Sequence, residues 1–183
     1  MTLPPDFWRS CRVVACETRL QLLWHIFAEG ELSVNPARAL VGISQPSASA
    51  QLRALADRGL VIPRREDMRV IYRAEANRAV SFAPELLEAL RICFERSMSF
   101  KAVIWQATAF THERRIEIVR ALNKTPLSFA KLLEATGMSS TALSRHIDKL
   151  ERRGFVKRTG GIYRLGRTGN TLGRTLMKCV LAG

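Results

Sequence analysis

Two stretches decide the fold: "SRHIDKLERRGFV", Ser144–Val156, and "SAQLRALADRGLV", Ser49–Val61. They align at a constant offset of 95, which is 144 minus 49. Serine, leucine, arginine, glycine and valine coincide at the first, seventh, tenth, eleventh and last places. In the later stretch Leu143, Ile147 and Leu150 recur at i, i+4 and i+7, the spacing of one buried helix face. Gly154 stops that helix. The earlier stretch repeats the pattern with Ala48, Leu52 and Leu55, stopped by Gly59.

Working outward, the match continues. "ELSVNPARALVGISQPSA" faces "PLSFAKLLEATGMSSTAL", with Ser33, Gly42 and Ser44 opposite Ser128, Gly137 and Ser139. Further upstream the offset becomes 96, and Leu20, Leu22, Leu23 and Ile26 face Ile116, Ile118, Val119 and Leu122. Ser128 can cap a helix containing Phe129, Leu132 and Leu133. Gly137 then sits where a helix end takes positive φ, Met138 plugs the turn, and Ser139 caps the next helix. Downstream, "VIPRREDMRVIYR" and "VKRTGGIYRL" each read as two short strands around a turn. The second is four residues shorter when Tyr72 is set against Tyr163. The expected first tip lies at Glu66-Asp67 and the second at Thr159-Gly160-Gly161.

Each copy opens with a helical segment, around Phe7–Cys16 and Phe100–Phe110. Each closes with another, "FAPELLEALRICFERS" and "TGNTLGRTLMKCVLA". The unit of roughly 90 residues is too long for a solenoid repeat and fits a duplicated domain. Helix, glycine turn, capped helix and hairpin spell a winged helix-turn-helix. The expected fold is therefore mostly α with small β-hairpin wings (α+β): two tandem winged helix-turn-helix domains, 1–98 and 99–183, packed through their outer helices. Only "SMS" separates the last helix of one copy from the first of the next. This favours an internal pseudo-dimer, while a homodimer stays open.

Residues from about Glu17 to Arg73 resemble the ArsR-type winged-helix repressors. Residues from about His112 to Leu165 resemble the same superfamily, with "SSTALSRHIDKLERRGFV" the closer fit to its recognition-helix pattern. The resemblance implies a prokaryotic DNA-binding transcriptional regulator. Two domains in one chain depart from the usual single-domain subunit. The resemblance also raises metal sensing, but one family site needs a Cys-x-Cys pair where this chain reads Ser33-Val34-Asn35. Another needs histidines on a closing helix, and neither closing helix has one. Soft-metal sites require thiolate or imidazole ligands, so no metal and no cofactor is expected.

The DNA-facing side follows from the helix period. Opposite Leu143, Ile147 and Leu150 lie Thr141, Ser144, Arg145, Asp148, Lys149 and Arg152. Arg145 is one turn in, where side chains reach base edges. Ser139 and Ser140 present the helix N-terminus, which binds phosphate through its free N–H groups. Lys157, Arg158 and Arg164 add the second wing. The first copy offers Ser44, Gln45, Ser47, Ser49, Gln51 and Arg53, with Arg64, Arg65, Arg69 and Arg73 in its wing. Ala50 stands in place of Arg145, Ala54 of Lys149, and Asp57 of Arg152.

Charge points the same way. The 183 residues carry a formal net charge of +13, with 47% apolar and 25% charged residues. Through residue 95 there are 12 Lys and Arg against 11 Asp and Glu; from 96 onward there are 17 against 5. Such a basic half favours a polyanion, here double-stranded DNA. The second copy is thus the expected main reader.

No window approaches the run of about 20 apolar residues of a spanning helix, and "MTLPPDFWRSCRVV" lacks the pattern of a signal peptide. The expectation is a cytoplasmic, nucleoid-associated protein with no membrane partner. Its four cysteines read as free thiols, with a redox role for a grouped Cys11, Cys16 and Cys93 left open. His25 and His112 are expected to be structural, and His146 either packed or a phosphate contact. Trp8, Trp24 and Trp105 are expected to fill core or interdomain space. An enzyme is not expected, because no nucleophile–base pair, carboxylate pair, metal cluster or phosphate loop has supporting context. Two other readings remain: an architectural protein like the tandem winged-helix subunits of chromosome-segregation complexes, and a plasmid-type replication initiator.

Overall fold

The computed structural model describes residues 6–182; Pro4 and Pro5 of the N-terminal stretch lie outside them. Among the described residues the fold is α+β, with ten helices and two antiparallel three-stranded sheets. The order runs α1 Phe7–Val14, α2 Glu17–Glu29, β1 Glu31–Ser33, α3 Val34–Val41, α4 Gln45–Ala56, β2 Ile62–Glu66, β3 Arg69–Arg73 and α5 Ala83–Glu95. The same order then recurs: α6 Phe100–Ala107, α7 Glu113–Lys124, β4 Leu127–Ser128, α8 Phe129–Thr136, α9 Ser140–Arg152, β5 Val156–Thr159, β6 Ile162–Leu165 and α10 Thr171–Ala182.

Local chemistry sets the boundaries. Ser44 and Ser139 accept hydrogen bonds from the Ser47 and Ala142 amides and start α4 and α9. Gly42 and Gly137 take left-handed φ of 69° and 61° and end α3 and α8. A β-carbon disfavours that conformation. Ser128 caps α8 through the Lys131 amide, but Ser33 makes no such bond to α3. The two serines align in sequence without doing the same work.

The hairpins correct the sequence reading in two ways. Each gains a third strand: β1 pairs with β3, and β4 with β6, giving sheet orders β1-β3-β2 and β4-β6-β5. Strands of three and two residues are too short to show a period of two. Leu32 lies opposite Tyr72, and Leu127 opposite Tyr163, so the two tyrosines occupy matching places. The first tip is Asp67-Met68 rather than Glu66-Asp67. The second is Gly160-Gly161.

The core joins both halves. Leu20, Leu23 and Ile26 of α2, Leu86 and Leu90 of α5, Ile118 and Val119 of α7, Leu143 and Leu150 of α9, and Leu172 and Leu176 of α10 belong to one buried cluster. Helix α5 packs on α10, and α1 on α6. Phe7, Phe110 and Phe155 form a ring-to-ring path from α1 to the turn after α9, with centroids 6.5 and 4.7 Å apart. At the surface of this junction Lys178 pairs with Glu85 at 2.7 Å.

One repeated device escaped the sequence comparison. Arg19 donates through Nε to the Val13 carbonyl at 2.6 Å, and Arg115 donates through Nε to the Ala109 carbonyl at 2.6 Å. Both arginines reach back from the start of one helix, Arg19 to a carbonyl in the last turn of α1 and Arg115 to one in the turn that follows α6. Such carbonyls have no intrahelical partner.

The tryptophans depart from expectation. Trp24 and Trp105 are 44% and 50% exposed, and only Trp8 is half-buried, with Arg9 and Arg12 over its ring. Cys11 is fully buried; burial first, then the Cys179 thiol, push it well above the ordinary range. Burial likewise raises Cys93, and raises Cys179 to about 11. Thiols held in that state are poor nucleophiles. Among the described residues no helix is long and apolar enough to cross a membrane.

Candidate nucleic-acid interface

Helix α9 divides cleanly into two faces. Leu143, His146, Ile147 and Leu150 are buried, whereas Thr141, Ser144, Arg145, Asp148 and Arg152 are exposed. Ser139 and Ser140 are exposed at its start. Among the described residues Arg145 makes no ion pair, whereas Arg152 bonds Asp148 at 2.6 Å across one helical turn. An exposed pair of that kind is worth little and can exchange for another anion. Lys149 is half-buried; burial, with Arg115 and Arg153 nearby, lowers its pKa.

The ground beneath this helix is crowded with positive charge. Arg153 stacks on Trp105, with its guanidinium carbon 4.2 Å from the ring centre, and its Nε donates to the Trp105 carbonyl at 2.8 Å. Burial and Arg152 lower its pKa. Arg115 is buried without an acidic partner among the described residues. Burial, then Arg153 and Arg12, pull it down to about 10. His146 is buried against His112, ring centres 4.6 Å apart. Burial, then His112 and the guanidiniums of Arg115, Arg145 and Arg114, push His146 down to about 4. His112 is lowered by burial and by Arg115, Arg12 and Arg114; its Nδ1 accepts from the Arg114 amide and caps α7. His146 is therefore a packing residue, which decides between the two roles left open for it.

Beside α9, the hairpin exposes Lys157, Arg158 and Arg164. Arg158 lies over the Tyr163 ring at 5.5 Å, which braces its stem. Arg167 is exposed in the loop from β6 to α10 and lines a cleft of about 290 Å³ with Arg153 and Asn170. No helix periodicity ranks a loop arginine, so the sequence reading missed it.

The first-copy equivalent is quieter. On α4, Gln45 and Arg53 are exposed, and Ser47 and Ser49 half-buried. Ser44 is exposed and used as the cap. Gln51 accepts from Arg19 at 2.7 Å, so it serves the fold. In the hairpin Arg64 pairs with Glu75 at 3.1 Å, and Arg73 with Glu31 at 2.8 Å. Arg65 and Arg69 are exposed beside the tip without an ion pair among the described residues.

A family model described as the HVO_A0261 N-terminal domain matches residues 106–180, the stretch from late α6 into α10. It covers less than half of the chain. No curated protein matches the sequence.

Proposed function

We propose that the chain is a DNA-binding transcriptional regulator built from two tandem winged helix-turn-helix domains, 1–98 and 99–183, of ArsR-like type. In this reading the packed outer helices make one chain a pseudo-dimer. Helix α9 with the β5–β6 hairpin reads double-stranded DNA, and α4 with the β2–β3 hairpin makes a weaker second contact. The observation that carries the reading is the exposed face of α9. Arg145, Lys149 and Arg152 stand there with Ser139, Ser140, Thr141 and Ser144, beside Lys157, Arg158 and Arg164. Around them the ionisable groups are pushed toward losing positive charge, partly by one another. An approaching phosphate backbone would relieve that repulsion. Unlike faces on α4 and α9 suit an asymmetric site.

Selection of bound duplexes from a random DNA pool tests the proposal. A defined motif, lost when the face of α9 is changed, is the expected result. Salt-sensitive binding with no motif would favour the architectural reading, to which the small, nearly neutral face of α4 lends support as a protein-holding surface.

A further inference from the structure

The internal repeat supplies its own control for which exposed side chains the fold requires. Trp24 of α2 and Leu40 of α3 are 44% and 50% exposed. They line one hollow together with His25, Val41 and Phe100. Trp24 also borders two neighbouring hollows of about 520 and 400 Å³, which reach Phe27, Phe94 and Met98. Phe27, Phe94 and Phe100 stand edge to face in sequence, 5.7 and 5.8 Å between centres. The result is an apolar patch centred on Trp24, bordered by Arg73, Glu75, Arg91 and Glu95 on one side and by Glu17 and Lys101 on another. In the second copy the matching places hold Arg120, Asn123, Ala135 and Thr136 opposite Trp24, Phe27, Leu40 and Val41. Arg120 there turns back to donate to the Val180 carbonyl at 2.9 Å. The same architecture thus forms with Arg120 and Ala135 in place of Trp24 and Leu40, so the fold itself does not require a large exposed apolar side chain at either position. Contiguous exposed apolar patches mark interaction surfaces.

We infer that this face is a homodimer interface in which Trp24 and Leu40 of one chain pack on the same face of a second copy. Charge selects that occupant. Nearly all of the +13 sits after residue 95, while the residues through 95, which supply Trp24, Phe27, Leu40 and Phe94 of the patch, are almost neutral, 12 cations against 11 anions. Two copies repel least when they approach through their first halves. The rim also suits a twofold contact, because Glu17 and Lys101 border the same hollow, with Glu95 on the next one. Across a twofold axis the lysine of one copy can meet an acid of the other. The basic α9 faces then lie in the halves that do not form the contact. The interface does not depend on the DNA-binding reading.

Sedimentation equilibrium of the full chain without DNA, over a concentration series, is the test. The expected result is a monomer–dimer equilibrium, weakened at least about tenfold by Trp24→Arg with Leu40→Ala, as for loss of a central aromatic anchor. These are the residues the second copy tolerates, and an unchanged circular dichroism spectrum and melting temperature verify folding. A chain that stays monomeric throughout overturns the inference, as does a dimer that the double substitution leaves intact. So does shielding of Trp24 by DNA in a monomeric chain that carries Trp8→Phe and Trp105→Phe, which would make DNA the occupant.

Discussion

Arg145 and Lys149 sit one turn apart on α9, yet their surroundings differ. Arg145 is exposed without an ion pair among the described residues, and Lys149 is partly covered beside Arg115 and Arg153. If Arg145 reads a base, Arg145→Ala should cost about 1–3 kcal/mol on the selected site and much less on random duplex. Lys149→Ala should weaken every sequence alike. Titration by fluorescence anisotropy on both duplexes separates these outcomes, and equal loss for Arg145→Ala would reduce it to a phosphate contact. His146 gives a second prediction. Its folded pKa is depressed from the ordinary 6.5 to about 4, so folding favours the neutral ring. The stabilisation is complete above pH 6.5 and is lost as pH falls toward 4. His146→Gln introduces the residue that the first copy carries there, Gln51, which accepts from Arg19. Urea titrations across this pH range should show a shallower loss for the variant; an unchanged slope would place the acid sensitivity elsewhere.

At the scale of elements, aligned residues do not contribute equally. Ser128 and Ser33 occupy matching places, but only Ser128 caps its helix. Ser128→Ala should therefore cost about 1 kcal/mol in chemical unfolding, and Ser33→Ala a few tenths at most. Equal costs would mean that sequence alignment is a better guide to capping than geometry. The loop after β6 gives a sharper case. A β-carbon on Gly166 would collide with the Gly154 carbonyl, where the Gly166 amide donates to Phe155 at 2.9 Å. Because the obstacle is backbone, Gly166→Ala should lower the melting temperature strongly, whereas Ala at the open, solvent-facing Gly169 should not.

For the whole molecule, the shared core makes an energetic claim. Leu86 and Leu90 of α5 are buried in the same cluster as Leu172 and Leu176 of α10. The halves should unfold together, in one calorimetric transition with matching van't Hoff and calorimetric enthalpies. Two separated transitions would show that the junction contributes little. The charge split makes a kinetic and ionic claim as well. If the chain binds DNA as proposed, its affinity should fall steeply with salt, and Lys157→Ala should reduce the slope of log K against log salt by about one if Lys157 meets a phosphate.

By itself the sequence determined the repeat, the buried and exposed sides of α4 and α9, the glycine stops and the placing of charge. Those features are local: a period of 3.6 residues, a cap or a left-handed turn is written within a dozen positions. Only the tertiary structure decided that β1 and β4 complete the sheets, and that Gln51 answers to Arg19. The same holds for the packing of His146 on His112, the burial of Cys11, and the exposure of Trp24 and Trp105. Each of these depends on groups far apart in the chain. An apolar or polar residue type states a preference for burial or bonding, and folding alone chooses the partner.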